Sequence, residues 1–311
     1  MRALLNQDKK LKLVDDFAEP ERRKGEVKVR VHYASLNPTD IDIANGDYDL
    51  FLRLYRVKSP IRTGLEFSGT VIEASLHFKQ GDQVFGYTSV LKGPKTHQEI
   101  LSIPEDYIAK MPQGLSFAEA AAFPLGAQTS LVALRDVAKL KPGQSVLING
   151  ASGGLGVFAI QLAKAMELEV TAVAGTDAQD AMAALGADYI VNYKETPLAR
   201  LKGSFDSVLE LSNKFALRDF KHLLAPRGMF IPADPLKHLS GFMTNPFRKQ
   251  KLGYLMVDRG DRELLTDLAN RVSKGELDVS YYREFALEDY QNAIEALETR
   301  STLGRIVLRF D

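Results

Sequence analysis

The chain has 311 residues, 45% of them apolar and 26% charged, with 40 Lys plus Arg against 40 Asp plus Glu. That length suits two domains with their own cores, and zero net charge lacks the basic excess of a nucleic-acid surface. Cysteine is absent and the five histidines (32, 77, 97, 222 and 238) stand far apart in sequence, which excludes disulfides and thiolate catalysis and argues against a zinc site. The first residues form no apolar signal core, and no uninterrupted apolar run approaches the ~18 residues of a membrane helix. The expectation is a soluble, cytoplasmic protein with no nucleic-acid and no integral-membrane partner.

From the N-terminus, Glu26-Val27-Lys28-Val29-Arg30-Val31-His32-Tyr33 alternates apolar and polar, the period of a half-buried strand. Phe67-Ser68-Gly69-Thr70-Val71-Ile72 and Gln83-Val84-Phe85-Gly86-Tyr87 are short strands around a Lys79-Gln80-Gly81-Asp82 turn. Such strands, broken by Gly and Pro, predict a barrel-like β domain. Near Leu115 the pattern changes. Ser116-Phe117-Ala118-Glu119 is a capping box that opens an Ala-rich helix, and residues 129–139 keep helical periodicity. Strands at 145–149, 169–174, 189–192, 206–211 and 228–232 then alternate with helices at 155–166, 178–185 and 215–224. That alternation predicts a parallel sheet with crossover helices. A helix over 287–298 and the strand Arg305-Ile306-Val307-Leu308 end the pattern.

Leu147-Ile148-Asn149-Gly150-Ala151-Ser152-Gly153-Gly154-Leu155-Gly156 joins a predicted strand to a predicted helix, the setting in which a glycine turn receives a dinucleotide pyrophosphate. Gly153 admits close backbone approach, Gly156 permits tight helix–strand packing, and the N–H groups at the helix start receive phosphate. A glycine turn without ligand is the bland alternative, and the alternation downstream argues against it. The second strand ends at Val173-Ala174-Gly175-Thr176, with no acid at the place that usually holds the ribose of NAD. That absence favours NADPH, whose 2′-phosphate an acid would repel. Asp177 and Asp180 nearby, with Lys194 as the nearest base, keep NADH open.

Over essentially the whole chain these motifs resemble the medium-chain dehydrogenase/reductase superfamily, in its zinc-independent quinone-oxidoreductase branch. The markers run in order: Ser35-Leu36-Asn37-Pro38-Thr39-Asp40, Thr63-Gly64-Leu65-Glu66-Phe67-Ser68-Gly69, Gly81-Asp82-Gln83-Val84-Phe85-Gly86, Ala120-Ala121-Ala122-Phe123-Pro124-Leu125, Gln128-Thr129, Lys141-Pro142-Gly143, the glycine turn, Leu185-Gly186-Ala187-Asp188 and Leu303-Gly304-Arg305-Ile306-Val307. Asn245-Pro246-Phe247-Arg248 resembles a subgroup with organellar members. The resemblance implies an α/β fold, with a Rossmann doubly wound parallel sheet over residues 119–274. It adds a GroES-like β-barrel domain built from residues 1–118 with 275–311. It implies NADPH, or NADH, and reduction of quinones or α,β-unsaturated carbonyls by direct hydride transfer. Zinc-dependent relatives carry metal ligands where this chain has Asp40, Leu65 and Leu125.

The same resemblance assigns cofactor positions. Thr129 would reach the nicotinamide, and Ala151, Ser152, Gly153, Gly154, Leu155 and Gly156 the pyrophosphate. Gly175, Thr176 and Tyr193 would flank the adenosine ribose, and Leu211, Ser212, Asn213, Pro232 and Ala233 the nicotinamide end. A polar donor is expected near the substrate carbonyl, with Asn37 and Asp40 as candidates, Asn37 otherwise only ordering its loop, and Tyr48 or Tyr55 as a proton source; solvent could serve equally. The tyrosine that some relatives use falls on Asp42. Phe51, Tyr55 and Phe247 are candidate pocket walls, with ordinary packing as the alternative, since 48, 51 and 55 recur at helical spacing. The expected partners are a small quinone or enone and a second copy of the chain, docked through the sheet edge near 229–235. Two further functions stay open. One is an enoyl-thioester reductase, which would need room and positive charge for a coenzyme A or carrier arm. The other is a non-catalytic, dinucleotide-binding scaffold or membrane-associated protein.

Overall fold

The computed structural model describes residues 1–54, 61–89, 93–280, 282–299 and 303–310, with the side chains at 50, 51, 54, 236 and 240 outside that description. In chain order the first segment gives β1 (Ala3–Gln7), β2 (Lys10–Val14), β3 (Glu26–Leu36), α1 (Pro38–Asn45), α2 (Asp49–Leu54), β4 (Ile61–Arg62), β5 (Glu66–Glu73), β6 (Gln83–Tyr87), β7 (Ile100–Pro104), β8 (Ile108–Lys110) and α3 (Phe117–Ala122). The middle gives α4 (Pro124–Leu131), β9 (Ser145–Asn149), α5 (Gly156–Ala165), β10 (Glu169–Ala174), α6 (Gln179–Ala184), β11 (Tyr189–Asn192), β12 (Phe205–Glu210), α7 (Leu217–Phe220), β13 (Leu224–Pro232), α8 (Leu239–Met243) and β14 (Lys251–Leu252). The return gives α9 (Arg262–Ser273), β15 (Tyr282–Ala286), α10 (Tyr290–Glu298) and β16 (Arg305–Arg309).

Two compact units result, Met1–Leu125 with Asp258–Asp311, and Gly126–Val257. The boundaries thus fall at 125/126 and 257/258 rather than at 118/119 and 274/275. The reason lies just past Val257. Gly260 donates its N–H to Tyr87 O at 2.8 Å, and α9 packs on β8, which fixes that helix to the first unit.

The first unit is β-rich. One sheet runs β15-β16-β3-β5-β6-β8 with β7 also on β3, and β2-β1-β4 form a smaller one. The alternation read in β3 is real: Val27, Val29 and Val31 are buried, packed with Phe67, Val84, Leu101, Ile306 and Leu308. Each such fully buried side chain contributes roughly 1.5–3 kcal/mol. The last strand, β16, lies antiparallel on the second half of β3, with Ile306 opposite Leu36 and Leu308 opposite Ala34.

The second unit is a parallel sheet of order β11-β10-β9-β12-β13-β14. Its central strands β9, β10 and β12 are buried along nearly their whole length, as expected for a parallel sheet packed by crossover helices. The order reverses between β9 and β12, and ligands bind at such a switch point, beyond the C-terminal strand ends. Three expectations change here. The helix expected at 215–224 shrinks to α7, because Asp219 turns back to accept Ala216 N at 2.8 Å and Leu224 already begins β13, ahead of Pro226. The helix begun by α4 continues as a wider turn over Val132–Val137, with Ala138 N on Ala133 O. The free edge does not lie at 229–235, since Met229 and Phe230 pair with Lys251 and Leu252; the edge strand is β14.

Candidate functional site

In the second unit, β9 ends at Asn149 and the chain turns at Gly150, whose φ of +86° is the left-handed value that glycine accepts without strain. Ala151, where the usual fingerprint has a glycine, carries no positive φ. Gly150 N and Ala151 N both donate to Val173 O, at 3.2 and 3.1 Å, which clamps the turn to β10. The two glycines that follow do different work. A Cβ on Gly156 would lie 2.5 Å from the Ala151 carbonyl carbon and 2.6 Å from its Cα, so Gly156 exists for packing. A Cβ on Gly153 would meet only Gly150 O, at 3.4 Å, so that side of the turn is open to a ligand.

Helix α4 is docked on the same turn. Ser130 Oγ donates to Leu155 O at 3.0 Å, and a Cβ on Gly126 would lie 2.5 Å from Gly154 O. Next to Ser130, Thr129 is 8% exposed and its Oγ1 has no hydrogen-bond partner. Leaving a buried hydroxyl unpaired costs about 1–3 kcal/mol, so Thr129 is shaped for a polar group that arrives with a ligand. The open face at Gly153 and the orphaned Thr129 hydroxyl together fit a dinucleotide.

A buried acid braces the loop that follows β12. Glu210 ends β12 fully buried. Its Oε1 accepts from Asn149 Nδ2 at 2.9 Å and Ser212 N at 3.1 Å, and from Ser212 Oγ. Oε2 has no partner. Leu211 N donates to Asn149 O at 2.9 Å, and Ala233 N to Glu210 O at 2.9 Å. Leu211, Ser212, Asn213, Pro232 and Ala233 are thus gathered around the ends of β9, β12 and β13, with Asn213 at φ +58°. Glu210 itself was not foreseen, although an acid ending the apolar run Val208-Leu209 is the signal for a buried polar function.

At the end of β10, Gly175, Thr176 and Tyr193 also come together. A Cβ on Gly175 would sit 3.3 Å from the Tyr193 hydroxyl, and Asn192 Nδ2 donates to Thr176 Oγ1 at 3.1 Å. The same amide reaches Glu195 at 2.6 Å, adding an acid to Asp177 and Asp180.

The first unit holds a buried polar network. Asp40 is wholly buried and accepts Gly64 N on Oδ1 at 2.7 Å and Asn37 N on Oδ2 at 2.9 Å. It therefore braces the start of α1 against the turn before β5. Asn37 donates its amide hydrogens to Ser35 O and Glu66 Oε1, both at 3.4 Å. Those acceptors fix the amide orientation and leave Oδ1 buried without a partner, so Asn37 offers an acceptor rather than the expected donor. Glu66 pairs with Arg305 and accepts Leu125 N at 2.7 Å. Burial pulls the Arg305 guanidinium down to about 10, against the pull of Asp40. Leu65 is buried. Among the described residues no three His, Cys, Asp or Glu converge on a metal-sized site.

Tyr48 lies half-buried just before α2. Tyr87 is fully buried, and burial pushes its phenol far above the ordinary range. The ring of Phe51 and the whole of Tyr55 lie outside the described residues. Phe247 is 91% exposed, so it does not pack. With Arg218, Lys221, Lys237, Arg248 and Lys249 it lines a surface depression of about 980 Å³ in the second unit.

A doubly wound parallel sheet with an open glycine turn, in a chain whose two ends together build a β unit, defines a two-unit oxidoreductase of the medium-chain type. Comparison with known proteins agrees. Residues 23–136 match the alcohol dehydrogenase GroES-like domain and residues 185–308 the zinc-binding dehydrogenase domain. The quinone oxidoreductase of Sus scrofa is 31% identical over 231 residues, 71% of this chain and 68% of that protein. The mitochondrial NAD(P)H oxidoreductase RTN4IP1 of Bos taurus is 36% identical over 204 residues, 60% of this chain but only 51% of that longer protein. The solved quinone oxidoreductase of Coxiella burnetii superposes with a TM-score of 0.88 at 30% identity, covering 100% of this chain and 99% of that one. The chain belongs to the medium-chain dehydrogenase/reductase superfamily, in its quinone-oxidoreductase-like branch. Among the described residues no helix is long and apolar enough to cross a membrane.

Proposed function

We propose that the chain is a cytoplasmic NADPH-dependent reductase of quinones or α,β-unsaturated carbonyls that transfers hydride directly and without zinc. The observation that carries this is the orphaned Thr129 hydroxyl beside the turn left open at Gly153. A reduced nicotinamide, when bound, supplies the hydride. The chain's own residues hold and orient it. The N–H groups of residues 152–155 at the start of α5 receive phosphate, Thr129 Oγ1 takes a polar partner, and Glu210 keeps the 211–213 loop in place through Asn149 and Ser212. Gly175, Thr176 and Tyr193 flank the adenosine ribose. At the substrate end Asn37 offers Oδ1, Asp40 shapes the wall and Tyr48 is a proton source.

Zinc-free chemistry is supported by the donor set. Both Asp40 oxygens hold backbone N–H groups, and Leu65 and Leu125 have nothing to coordinate with. NADPH is supported by Ala174 at the tip of β10, while Asp177, Asp180 and Glu195 support use of NADH as well. A homodimer through the free β14 edge is supported by Tyr254 and Met256, 50% and 45% exposed just beyond it.

The test follows nicotinamide absorbance with phenanthrenequinone and with an alkenal, using NADPH and NADH in turn. Oxidation with either acceptor supports the proposal. Dinucleotide binding without reduction of either acceptor favours a binding protein, and absence of dinucleotide binding defeats the proposal. A second reading, an enoyl-thioester reductase, is favoured by the basic depression at Arg218, Lys221, Lys237, Arg248 and Lys249, which offers room and positive charge for a phosphorylated arm. Preference for a coenzyme A thioester over the free enone would select it.

A further inference from the structure

The tip of β10 lacks the acid that would take the ribose of NADH, yet the neighbouring strand supplies one. β11 runs parallel to β10 with Asn192 opposite Ala174, so the loop that leaves β11 starts beside the place where the acid is missing. Backbone hydrogen bonds hold that loop. Tyr193 N donates to Ala174 O at 3.2 Å, and Glu195 N and Thr196 N both donate to Asn192 O, at 3.1 and 2.8 Å. Lys194 N donates to Asn192 Oδ1 at 3.1 Å.

The buried side chain of Asn192 ties the loop to the residue beyond β10. Its Nδ2 donates to Thr176 Oγ1 at 3.1 Å and to Glu195 Oε1 at 2.6 Å. Because both oxygens bond one nitrogen, the Glu195 carboxylate lies within about 6 Å of the Thr176 hydroxyl. Thr176 Oγ1 accepts the amide, so its own hydrogen can donate. A hydroxyl donor and a carboxylate acceptor thus stand close together, both on exposed residues. That pair suits a ribose diol, which both donates and accepts. It opposes a 2′-phosphate, which carries about two negative charges and only accepts. Over residues 174–180 and 192–196 three acids, Asp177, Asp180 and Glu195, stand against one base, Lys194. Asp177 and Asp180 lie in the first turns of the short helix Thr176–Ala178 and of α6, the ordinary place for an acid. Glu195 lies in a turn outside any helix and is instead held beside Thr176 through a buried amide.

We propose that Glu195 is the residue that sets NADH against NADPH, taking over from the neighbouring strand the role of the acid absent at Ala174. The role rests on the dinucleotide reading above and narrows the NADPH preference that Ala174 supports. Glu195 accepts a hydroxyl hydrogen from the adenosine ribose of NADH and repels the 2′-phosphate of NADPH. Thr176, fixed to the same amide, donates to either.

The test reads binding, so it does not depend on activity. Calorimetric titration of the full chain with NADPH and with NADH gives a ratio of dissociation constants. Wild type should hold the two within about tenfold of each other. Glu195→Gln keeps an oxygen for the Asn192 amide and removes the charge, so the loop stays in place. It should tighten NADPH about tenfold, the size of a charge pair at this separation near the surface, and weaken NADH about twofold to fivefold. Glu195→Lys should move the ratio further, by about 100-fold. Asp180→Asn should move it by less than about threefold, because an acid that is not held at Thr176 is screened by solvent. A ratio unmoved in both Glu195 variants, an equal movement in Asp180→Asn, or a wild type that prefers NADPH by about 100-fold or more overturns the proposal. If wild type binds neither dinucleotide, the dinucleotide reading has failed and this role fails with it.

Discussion

Alanine at Gly153 and alanine at Gly156 should have opposite consequences, although the residues sit one helical turn apart. At Gly156 the new methyl would lie 2.5 and 2.6 Å from backbone atoms of Ala151, almost 1 Å inside ordinary contact. Backbone cannot swing aside, so α5 must lift from β9. Overpacking of this kind costs about 1–3 kcal/mol, and the gain in helix propensity returns at most about 1 kcal/mol. A net loss of about 1–2 kcal/mol is expected for Gly156→Ala. At Gly153 the methyl meets only Gly150 O, at 3.4 Å, so stability should stay within about 0.5 kcal/mol of wild type. That methyl stands where phosphate would approach, so NADPH affinity should fall at least tenfold, about 1.4 kcal/mol. Urea unfolding followed by far-UV circular dichroism gives the first quantity, and calorimetric titration with NADPH the second. Equal destabilisation by both variants would show that protein, not ligand, needs the space at Gly153. Unchanged NADPH binding in Gly153→Ala would place the phosphates elsewhere.

Thr129→Val removes a buried hydroxyl that has no partner, so urea unfolding should show unchanged or slightly higher stability while NADPH affinity drops about fivefold to tenfold; a large stability loss with normal affinity would refute the assignment. Lys95 makes stability depend on alkaline pH. Its folded value of about 8 lies below the ordinary 10.5, so the unfolded chain binds more protons between those values and stability rises with pH across that window. Relative to Lys95→Met, wild type should gain on the order of 3 kcal/mol from pH 7 to pH 11, and a flat difference in urea midpoints would contradict it. Arg305→Met strands the Glu66 carboxylate in the core and should cost about 3–5 kcal/mol. The double variant Glu66→Gln/Arg305→Met should recover more than half of that loss in thermal unfolding, and an additive loss would show that the two groups do not act as a pair.

Much of the fold lies in plain periodicity. The valines of β3 alternate because one face is buried, and β9 reads as an apolar run, Val146-Leu147-Ile148, because it is buried along its length. Gly156 was legible for the same reason, since its place between strand and helix dictates contact. What escaped reading depends on partners distant in sequence. Glu66 and Arg305 meet across most of the chain, and no local pattern announces a pair of that kind. β14 is only two residues long, too short for any period, yet it covers the edge expected at 229–235. Asn37 was legible as polar and buried, but which end of its amide faces outward depends on Ser35 O and Glu66. Phe247 was legible as aromatic only; its exposure is set by a short turn, Asn245–Phe247, that places it on the surface.

The pairing of β16 with β3 has a consequence for how the chain is born. Residues 126–257 are contiguous, so every strand of the second unit is available once they have left the ribosome. The first unit must wait. Until residues 305–309 emerge, the stretch of β3 from Tyr33 to Leu36 lacks its neighbour and the Glu66 carboxylate lacks Arg305. At ~5–20 residues per second that delay lasts roughly tens of seconds. A chain cut short by a few residues would leave the second unit whole and the first with an open strand edge, so nascent-chain quality control has a defined target in the half that holds Asn37, Asp40 and Lys95.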